Sequence, residues 1–482
     1  VTFHNVTRID HLDGSHETFA YDGRGNVTTY RDRGGETWTF PYDDRGRLLT
    51  LRNPEGGERT YTYNADGTVA SASDFDGVTT TYGYDLHKRP VTITLPTETI
   101  ILAYNDYDSV TKEIDGLGRV TTYAYDANNN LTTITDTTGA TTGYGYDLMD
   151  RLVTGTNRLG ATMTTTYDAL GRIAAQTDPL LQTKQYGYDP RGWLTTVTDP
   201  EGEVWRYGYD AEGVVVSTTS PLNQVTHYGV NALGFTEAIT DPTGAATTYS
   251  RDAAMRITAV TNPLGQTTVY TYDGAGRLAA VGAADGGTTT YAYDAAGEIA
   301  TITDLRGQRW DLDHSPQGRL ESHTDPLGNT WTYTATAAGQ LDTLTYPTGD
   351  TQTLSYDTAG NLTRRLYSAD GLDLSFTYDT ADRLASTTGM ELTYDAEGNI
   401  VNTRDTANFG ATYDAAGRLV AVTYPTAGGT FTVTYEYDKR NLLTHVGDNL
   451  TGAEMSFTYD AAGRLTDVTR SNGVATELSY DA

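Results

Sequence analysis

Short runs rich in Thr, Val and Tyr alternate with clusters of turn-forming residues along the whole chain, and the pattern returns every 21 residues from Tyr188 to Tyr209. That unit reads YDPRGWLTTVTDPEGEVWRYGY. Counted from the Tyr of Tyr-Asp as zero, Gly stands at +4, an aliphatic at +6 and often at +9, Asp-Pro-x-Gly at +11 to +14, and Tyr at +19 and +21. Two turn signals therefore separate two strand-like runs, and the unit reads strand, turn, strand, turn. A fixed period of this length marks a repeat architecture in which each unit packs on its neighbours. The expected fold class is all-β, a long spiralling antiparallel sheet of hairpin repeats.

The zero position falls at Tyr21, Tyr42, Tyr63 and Tyr84, and one residue is lost before Tyr104. From Tyr125 the spacing of 21 holds to Tyr356, through Val230, Arg251, His314 and Ala335, where the Tyr is gone but the spacing is kept. Period is the stronger constraint, as expected if strand pairing sets register. After Tyr356 the marks loosen to Tyr378, Tyr394, Tyr413, Tyr437, Tyr459 and Tyr480. The expected division is a regular array over residues 1–365 and irregular repeats over 366–482 that continue the same sheet. Residues 1–20 carry a partial unit with Asp13-Gly14 as its turn.

Position +4 holds Gly, Asn or Asp in nearly every unit, as in Gly25, Gly171, Asn129, Asp150 and Asn441. These residues tolerate a left-handed backbone. A type I turn that starts at Asp +1 and ends in a left-handed bulge residue at +4 explains the choice. Asp199-Pro200 and Asp325-Pro326 open second turns of the same type, with Pro presetting φ. Lys88 and Met255 break the +4 rule, and their turns are expected to differ. Closing such a loop sets +1 opposite +5, so Asp168 should face Arg172, Asp273 should face Arg277, and Asp460 should face Arg464. Exposed pairs of this kind are worth only about 0.2–1 kcal/mol each and select register more than they stabilise.

An odd period poses a parity problem, because side chains alternate faces along a strand. With two like turns, the tyrosines would change face at every unit. A β-bulge between +6 and +9 restores parity and puts Leu194 and Val197 on one face with Trp205, Tyr207 and Tyr209. Unequal turns are the alternative. About 23 units imply roughly 46 strands, a ribbon of ~220 Å at ~4.8 Å per strand. Open sheets seldom pass ~10 strands without curling, so the ribbon is expected to coil, with successive coils stacked edge to edge into a tube or hollow shell.

Composition sharpens this picture. Hydrophobic residues are 37% of 482, and Tyr, at 36, far outnumbers Phe and Trp. Tyr has an apolar ring and a wet hydroxyl, which suits a thin sheet rather than a thick core. The net charge of -30 speaks against nucleic acid as a partner, which needs a basic groove; it reads as solubility of a large exposed sheet. There is no Cys, hence no disulfide frame or thiolate chemistry. No apolar run approaches the ~20 residues of a membrane span. The chain starts at Val1 without Met or signal peptide and stops mid-repeat at Ala482, so both ends read as cut or processed.

The unit Tyr-Asp-x-x-Gly-Arg-Leu, intact at Tyr272–Leu278 and Tyr459–Leu465, resembles the YD-repeat or RHS-repeat family over almost the whole chain. That family includes bacterial Rhs polymorphic toxins, wall-associated proteins, toxin-complex B and C subunits, and teneurins. The resemblance implies a spiralling, often hollow β-shell. In the toxins such a shell holds a C-terminal effector that is released after self-cleavage by a closing segment. Neither that segment nor an effector is recognisable here.

No residue is assigned a catalytic, cofactor-binding or metal-ligating role, and no enzyme activity or cofactor is expected. His4, His11, His16, His87, His227, His314, His323 and His445 form no tight metal spacing. His314 stands where a repeat Tyr would be and reads as packing. Asp74-Phe75-Asp76-Gly77 and Asn105-Asp106-Tyr107-Asp108 offer oxygens for a weak Ca²⁺ site, but the turn reading is preferred. Sequons at Asn26, Asn130 and Asn361 arise where Asn replaces the +5 Arg; they mean glycosylation only in a host that performs it. Equivalent tyrosines of successive units lie two strands apart, ~9.6 Å, so they are expected to lean on the +6 and +9 aliphatics. Sugar stacking on these rows is the alternative to packing. The function expected is a non-catalytic shell segment of a secreted or cell-surface protein that encapsulates or delivers a toxin or effector lying outside this chain. The alternative is an adhesion or structural fibre module, with cell-surface carbohydrate as a further candidate partner.

Overall fold

A computed structural model describes residues 5–11, 14–75, 77–404 and 408–480. They form 46 strands and no helix, the strand number that the repeat count implies. The absence of helices excludes a helical membrane span among these residues and says nothing of strands. Every recorded pairing between strands is antiparallel and joins neighbours in the chain, as between Thr183–Tyr188, Leu194–Thr198 and Val204–Tyr209.

In the regular 21-residue repeats the two turns share one geometry. In the first, Gly171 N–H donates to Asp168 O at 3.0 Å and Asp168 N–H to Arg172 O at 2.8 Å. In the second, Gly202 N–H donates to Asp199 O at 3.0 Å and Asp199 N–H to Glu203 O at 2.9 Å. This is the type I turn closed by a left-handed bulge residue. The expectation that Lys88 and Met255 break it is wrong. They take φ of 64° and 63° and keep the same bonds, Lys88 N–H to Asp85 O and Met255 N–H to Asp252 O. Left-handed backbone at such residues costs on the order of 1–3 kcal/mol. The hydrogen-bonded strands on both sides fix the loop and absorb that cost. Leu181, at φ 66°, does the same in a second turn. The residue missing before Tyr104 comes out of a second turn: Leu95 N–H donates to Glu98 O at 2.8 Å, while Thr94 still pairs Thr99.

Equal turns leave the parity problem intact, and a bulge solves it. Gly187 pairs Thr196 but Tyr188 pairs Leu194, so Thr195 is the extra residue. The same shift recurs at Ala124/Tyr125, Thr271/Tyr272 and Thr458/Tyr459. Tyr186 opposes Val197, which opposes Trp205. One face therefore collects the tyrosines and the +6 and +9 residues. In Thr267–Tyr272 the tyrosines are half-buried while Val269 and Thr271, on the other face, are exposed. The sheet has no thick interior: Leu354, Ala411 and Val468 are the buried hydrophobic residues, and among the described residues no side chain is below 2% exposure.

The chain divides into two compact units. The first comprises Val1–Ala103, Glu113–Arg119 and Thr247–Ser375; the second comprises Tyr104–Lys112, Val120–Ala246 and Phe376–Ala482. Each unit contains an earlier and a later stretch of ribbon. The later stretch of the second unit has the longest strands, Leu419–Thr426 and Gly429–Tyr437, of 8 and 9 residues.

Candidate functional site: the clamped turn and the ribbon seam

Each Tyr-Asp turn is built around one carboxylate. Asp273 Oδ1 accepts from Arg277 N–H at 2.8 Å, and Oδ2 accepts from Arg277 Nε at 2.8 Å. The other anticipated pairs are present too, Asp168 with Arg172 and Asp460 with Arg464, both at 2.7 Å. Burial alone would push the Asp273 pKa up, but the Arg277 guanidinium and the turn N–H groups overrule it and hold the carboxyl below its usual value.

The guanidinium also reaches the next unit. Arg277 Cζ lies 4.4 Å from the ring centroid of Tyr293, and Arg172 lies 4.4 Å from that of Tyr188. Under it, Tyr293 Oη donates to Leu278 O at 2.8 Å and Tyr188 Oη to Ile173 O at 2.9 Å. In units with Arg at +5 such as these, the next zero-position Tyr is thus clamped between the Arg side chain and the +6 carbonyl of the preceding unit, a cation–π contact above and a hydrogen bond at the tip; Tyr84 and Tyr146, which follow Thr68 and Asn130, keep the hydrogen bond to the +6 carbonyl. Desolvation raises the Tyr293 pKa, as expected for a hydroxyl in this niche. The tyrosines do lean across the intervening strand, yet the Arg contact was not anticipated. No covariation along the chain announces it: Tyr84, Tyr146 and Tyr356 follow Thr68, Asn130 and Gln340 at +5, and Ala335 follows Arg319. Trp193 at +5 instead meets Tyr209 ring to ring at 5.3 Å.

Within each unit the second turns of the earlier ribbon meet the Tyr-Asp turns of the later one. In the first unit, Asn53, only 6% exposed, donates from Nδ2 to Pro316 O at 2.7 Å, and Ala295 N–H donates to Glu55 Oε1 at 3.2 Å. A methyl group at Gly57 would collide with the Pro316 carbonyl oxygen. In the second unit, Thr137 Oγ1 donates to Thr380 O at 2.5 Å, Arg158 N–H to Glu397, and Lys439 N–H to Glu201 Oε1 at 3.3 Å. The partners stand 240 residues apart at Glu55 and Ala295, 243 at Thr137 and Thr380, and 238 at Glu201 and Lys439. That is roughly eleven and a half 21-residue repeats; the half arises because a turn of one kind meets a turn of the other. In the second unit a cleft of about 440 Å³ opens beside the Glu201–Lys439 contact, with Tyr186, Trp205 and Asp178 in its wall.

The residues with candidate chemistry have structural occupations. His314 takes the Tyr place, its Nδ1 3.5 Å from Asp294 Oδ2. His323 stacks on Trp331 at 4.5 Å and shares a 2.8 Å hydrogen bond with Tyr333. Asn105 Oδ1 accepts from Tyr107 and Ser109 N–H, so Asn105–Asp108 is a turn of the standard kind. His4, Asp13 and Asp76 lie outside the described residues, and among the described ones no three His, Cys, Asp or Glu side chains group to hold a metal. The sequon amides are engaged: Asn26 Nδ2 donates to Asp22 Oδ2 at 2.8 Å and Asn361 Nδ2 to Asp357 Oδ2 at 3.2 Å.

A ribbon of bulged hairpins, with an Asp-Arg-Tyr clamp repeated along one edge, defines a YD-repeat β-protein. The chain matches the teneurin YD-shell family over residues 234–389 and 387–482, more than half its length, and the RHS repeat over five segments including 42–79 and 188–225. It belongs to the teneurin YD-shell family. No curated protein matches its sequence significantly. Among solved structures it has the fold of the TcdB2-TccC3 crystal structure, with a TM-score of 0.68 at 13% identity over 94% of this chain and 36% of that one. The Photorhabdus luminescens Tc holotoxin pore gives a TM-score of 0.68 at 14% identity over 96% of this chain and 34% of that one. The chain thus spans about a third of the length of these structures.

Proposed function

We propose that this chain is a wall segment of a larger secreted or cell-surface protein, in which the coiled ribbon encloses a lumen for an effector carried on the same or an associated polypeptide. The observation that carries the reading is the seam. In each unit, ribbon stretches some 240 residues apart meet turn against turn, which is how a ribbon makes a continuous wall rather than a loose strip. The fold shared with TcdB2-TccC3 supports it. On this reading the wall acts by shape, with residues 1–365 as its regular part and 366–482 as the part where the repeat changes. The test is to express the chain together with the polypeptide encoded around it and to digest the product with protease. A protected domain that becomes digestible only when the ribbon is unfolded supports encapsulation. A domain cut as fast as its isolated form, or particles without an internal space in electron micrographs, rules it out.

A further inference from the structure

The tyrosine face of the second unit lacks one ring. In the regular units the Tyr two places before a zero mark reaches back over the +9 residue ten positions earlier. Tyr186 Oη donates to Gln176 Oε1 at 2.8 Å, and the hydroxyls of Tyr228 and Tyr333 meet Thr218 and His323 at 3.2 and 2.8 Å. From the mark at Tyr21 to that at Tyr356 this place holds Tyr, Phe or Leu in every unit except one, where it is Thr165. The +9 residue of the same unit is Gly155, the one glycine at +9 along the chain. Both halves of one contact are therefore reduced together. The space stays open, since a Cβ on Gly155 would meet no atom within 4 Å.

A hollow of about 580 Å³ lies there, with Gly155 and Met163 on the sheet and Asn157, Asp178, Glu397 and Asn399 on the seam turns. It shares Met163, Asp178 and Asn441 with the cleft of about 440 Å³ in which Gln176, Tyr186 and Trp205 stand. Each volume is that of a small-molecule site. Both walls belong to this chain, so the hollow is not an open ribbon edge. Amides, carboxylates and hydroxyls beside two large rings suit a polyhydroxylated ring better than an apolar side chain. Gln176 is held by its oxygen, which leaves Nε2 to donate. Asp178 spends Oδ1 on the N–H groups of Leu180 and Gln182, which leaves Oδ2 to accept. Lys184, opposite Gln176 in the sheet, is exposed and has no partner among the described residues, in a chain of 63 acidic residues. An unpaired ammonium in such company offers a charge-assisted bond to an anionic ligand. The strands beneath, Leu152–Thr156 and Thr162–Tyr167, are paired on both sides, so a peptide cannot add to them as a further strand.

We propose that this hollow binds an acidic oligosaccharide. One sugar ring lies over Gly155, where the missing tyrosine would be. A neighbouring ring packs against Tyr186 and Trp205, with its carboxylate on Lys184 Nζ. The site is independent of encapsulation and requires no lumen.

The test is titration calorimetry on the full chain with uronic-acid oligosaccharides, sialic-acid oligosaccharides and neutral maltotetraose, the first two arms separating the two sources of a sugar carboxylate. The expected result is binding of one acidic class with a dissociation constant below about 1 mM. Lys184→Ala should weaken it at least fivefold, and Lys112→Ala, at another exposed lysine, should leave it unchanged. Thr165→Tyr restores the ring that the repeat normally carries, so it should raise the urea midpoint and weaken binding at least tenfold. Gly155→Phe, which has room for its side chain, should block the same hollow and serves if Thr165→Tyr misfolds. No binding by either acidic class up to about 5 mM, binding that survives both filling variants, equal loss with Lys112→Ala, or preference for maltotetraose or for an acidic tyrosine-containing peptide would each overturn the proposal.

Discussion

Replacing Asp273 by Ala removes the carboxylate around which an intact Tyr-Asp turn is built. Arg277 N–H loses its acceptor, a change worth about 0.5–1.5 kcal/mol. The half-exposed ion pair with Arg277 adds about 0.2–1 kcal/mol. Loosening the guanidinium over Tyr293 adds on the order of 0.5 kcal/mol. Asp273→Ala should therefore cost about 2 kcal/mol, and Asp273→Asn, which keeps the acceptor and loses the charge, about 0.5–1 kcal/mol. In a repeat ribbon the loss stays local. Hydrogen exchange should show amides of Thr267–Tyr272 and Leu278–Gly282 opening roughly 30-fold more readily in the Ala variant, with Leu341–Thr345 unaffected. Because the folded-state pKa of Asp273 lies below its usual value, the contribution is complete at neutral pH. It is lost as pH falls from about 4 through the depressed folded value, so the gap between wild type and Asp273→Asn must close on acidification. Equal effects of Ala and Asn, or a gap constant from neutral pH to pH 3, would refute the clamp.

Other substitutions probe the remaining contacts. Tyr293→Phe deletes the hydroxyl that reaches Leu278 O and should cost about 0.5–1.5 kcal/mol, read by urea denaturation; no change in midpoint would show that water serves that carbonyl equally well. Met255→Gly relieves a left-handed φ of 63° and should stabilise its hairpin by up to about 1 kcal/mol after the entropy of Gly is counted, whereas Gly297→Met should cost about the same or more. Gly34→Cys with Ala275→Cys should form a disulfide in a chain that has no Cys of its own, because a Cβ on Gly34 lies 3.0 Å from that of Ala275, so that the two turns need to part by only about 0.8 Å to reach the mean disulfide spacing. A free thiol count of two after oxidation would deny the first unit's seam. Gly57→Ala should weaken the same seam and expose amides near Pro316 to exchange, since no space exists for its methyl group.

Local order was legible in the residues because it is encoded within a few positions of itself. Asp at +1, Gly at +4 and Arg at +5 specify a turn, and the odd period of 21 demands the extra residue that Thr195 supplies. The Arg–Tyr clamp was half legible: the residues were noted, but their partnership spans the 16 positions from Arg172 to Tyr188, and the two positions vary independently along the chain. Lys88 and Met255 misled because propensity is a weak force beside a ladder of strand hydrogen bonds. The seam lay beyond any local reading. Which turn meets which depends on small twists and bends added over a score of strands, and no residue near Glu55 marks Ala295 as its partner. The chain's own chemistry determined the ribbon; the accumulated curvature of that ribbon decided where its edges would meet.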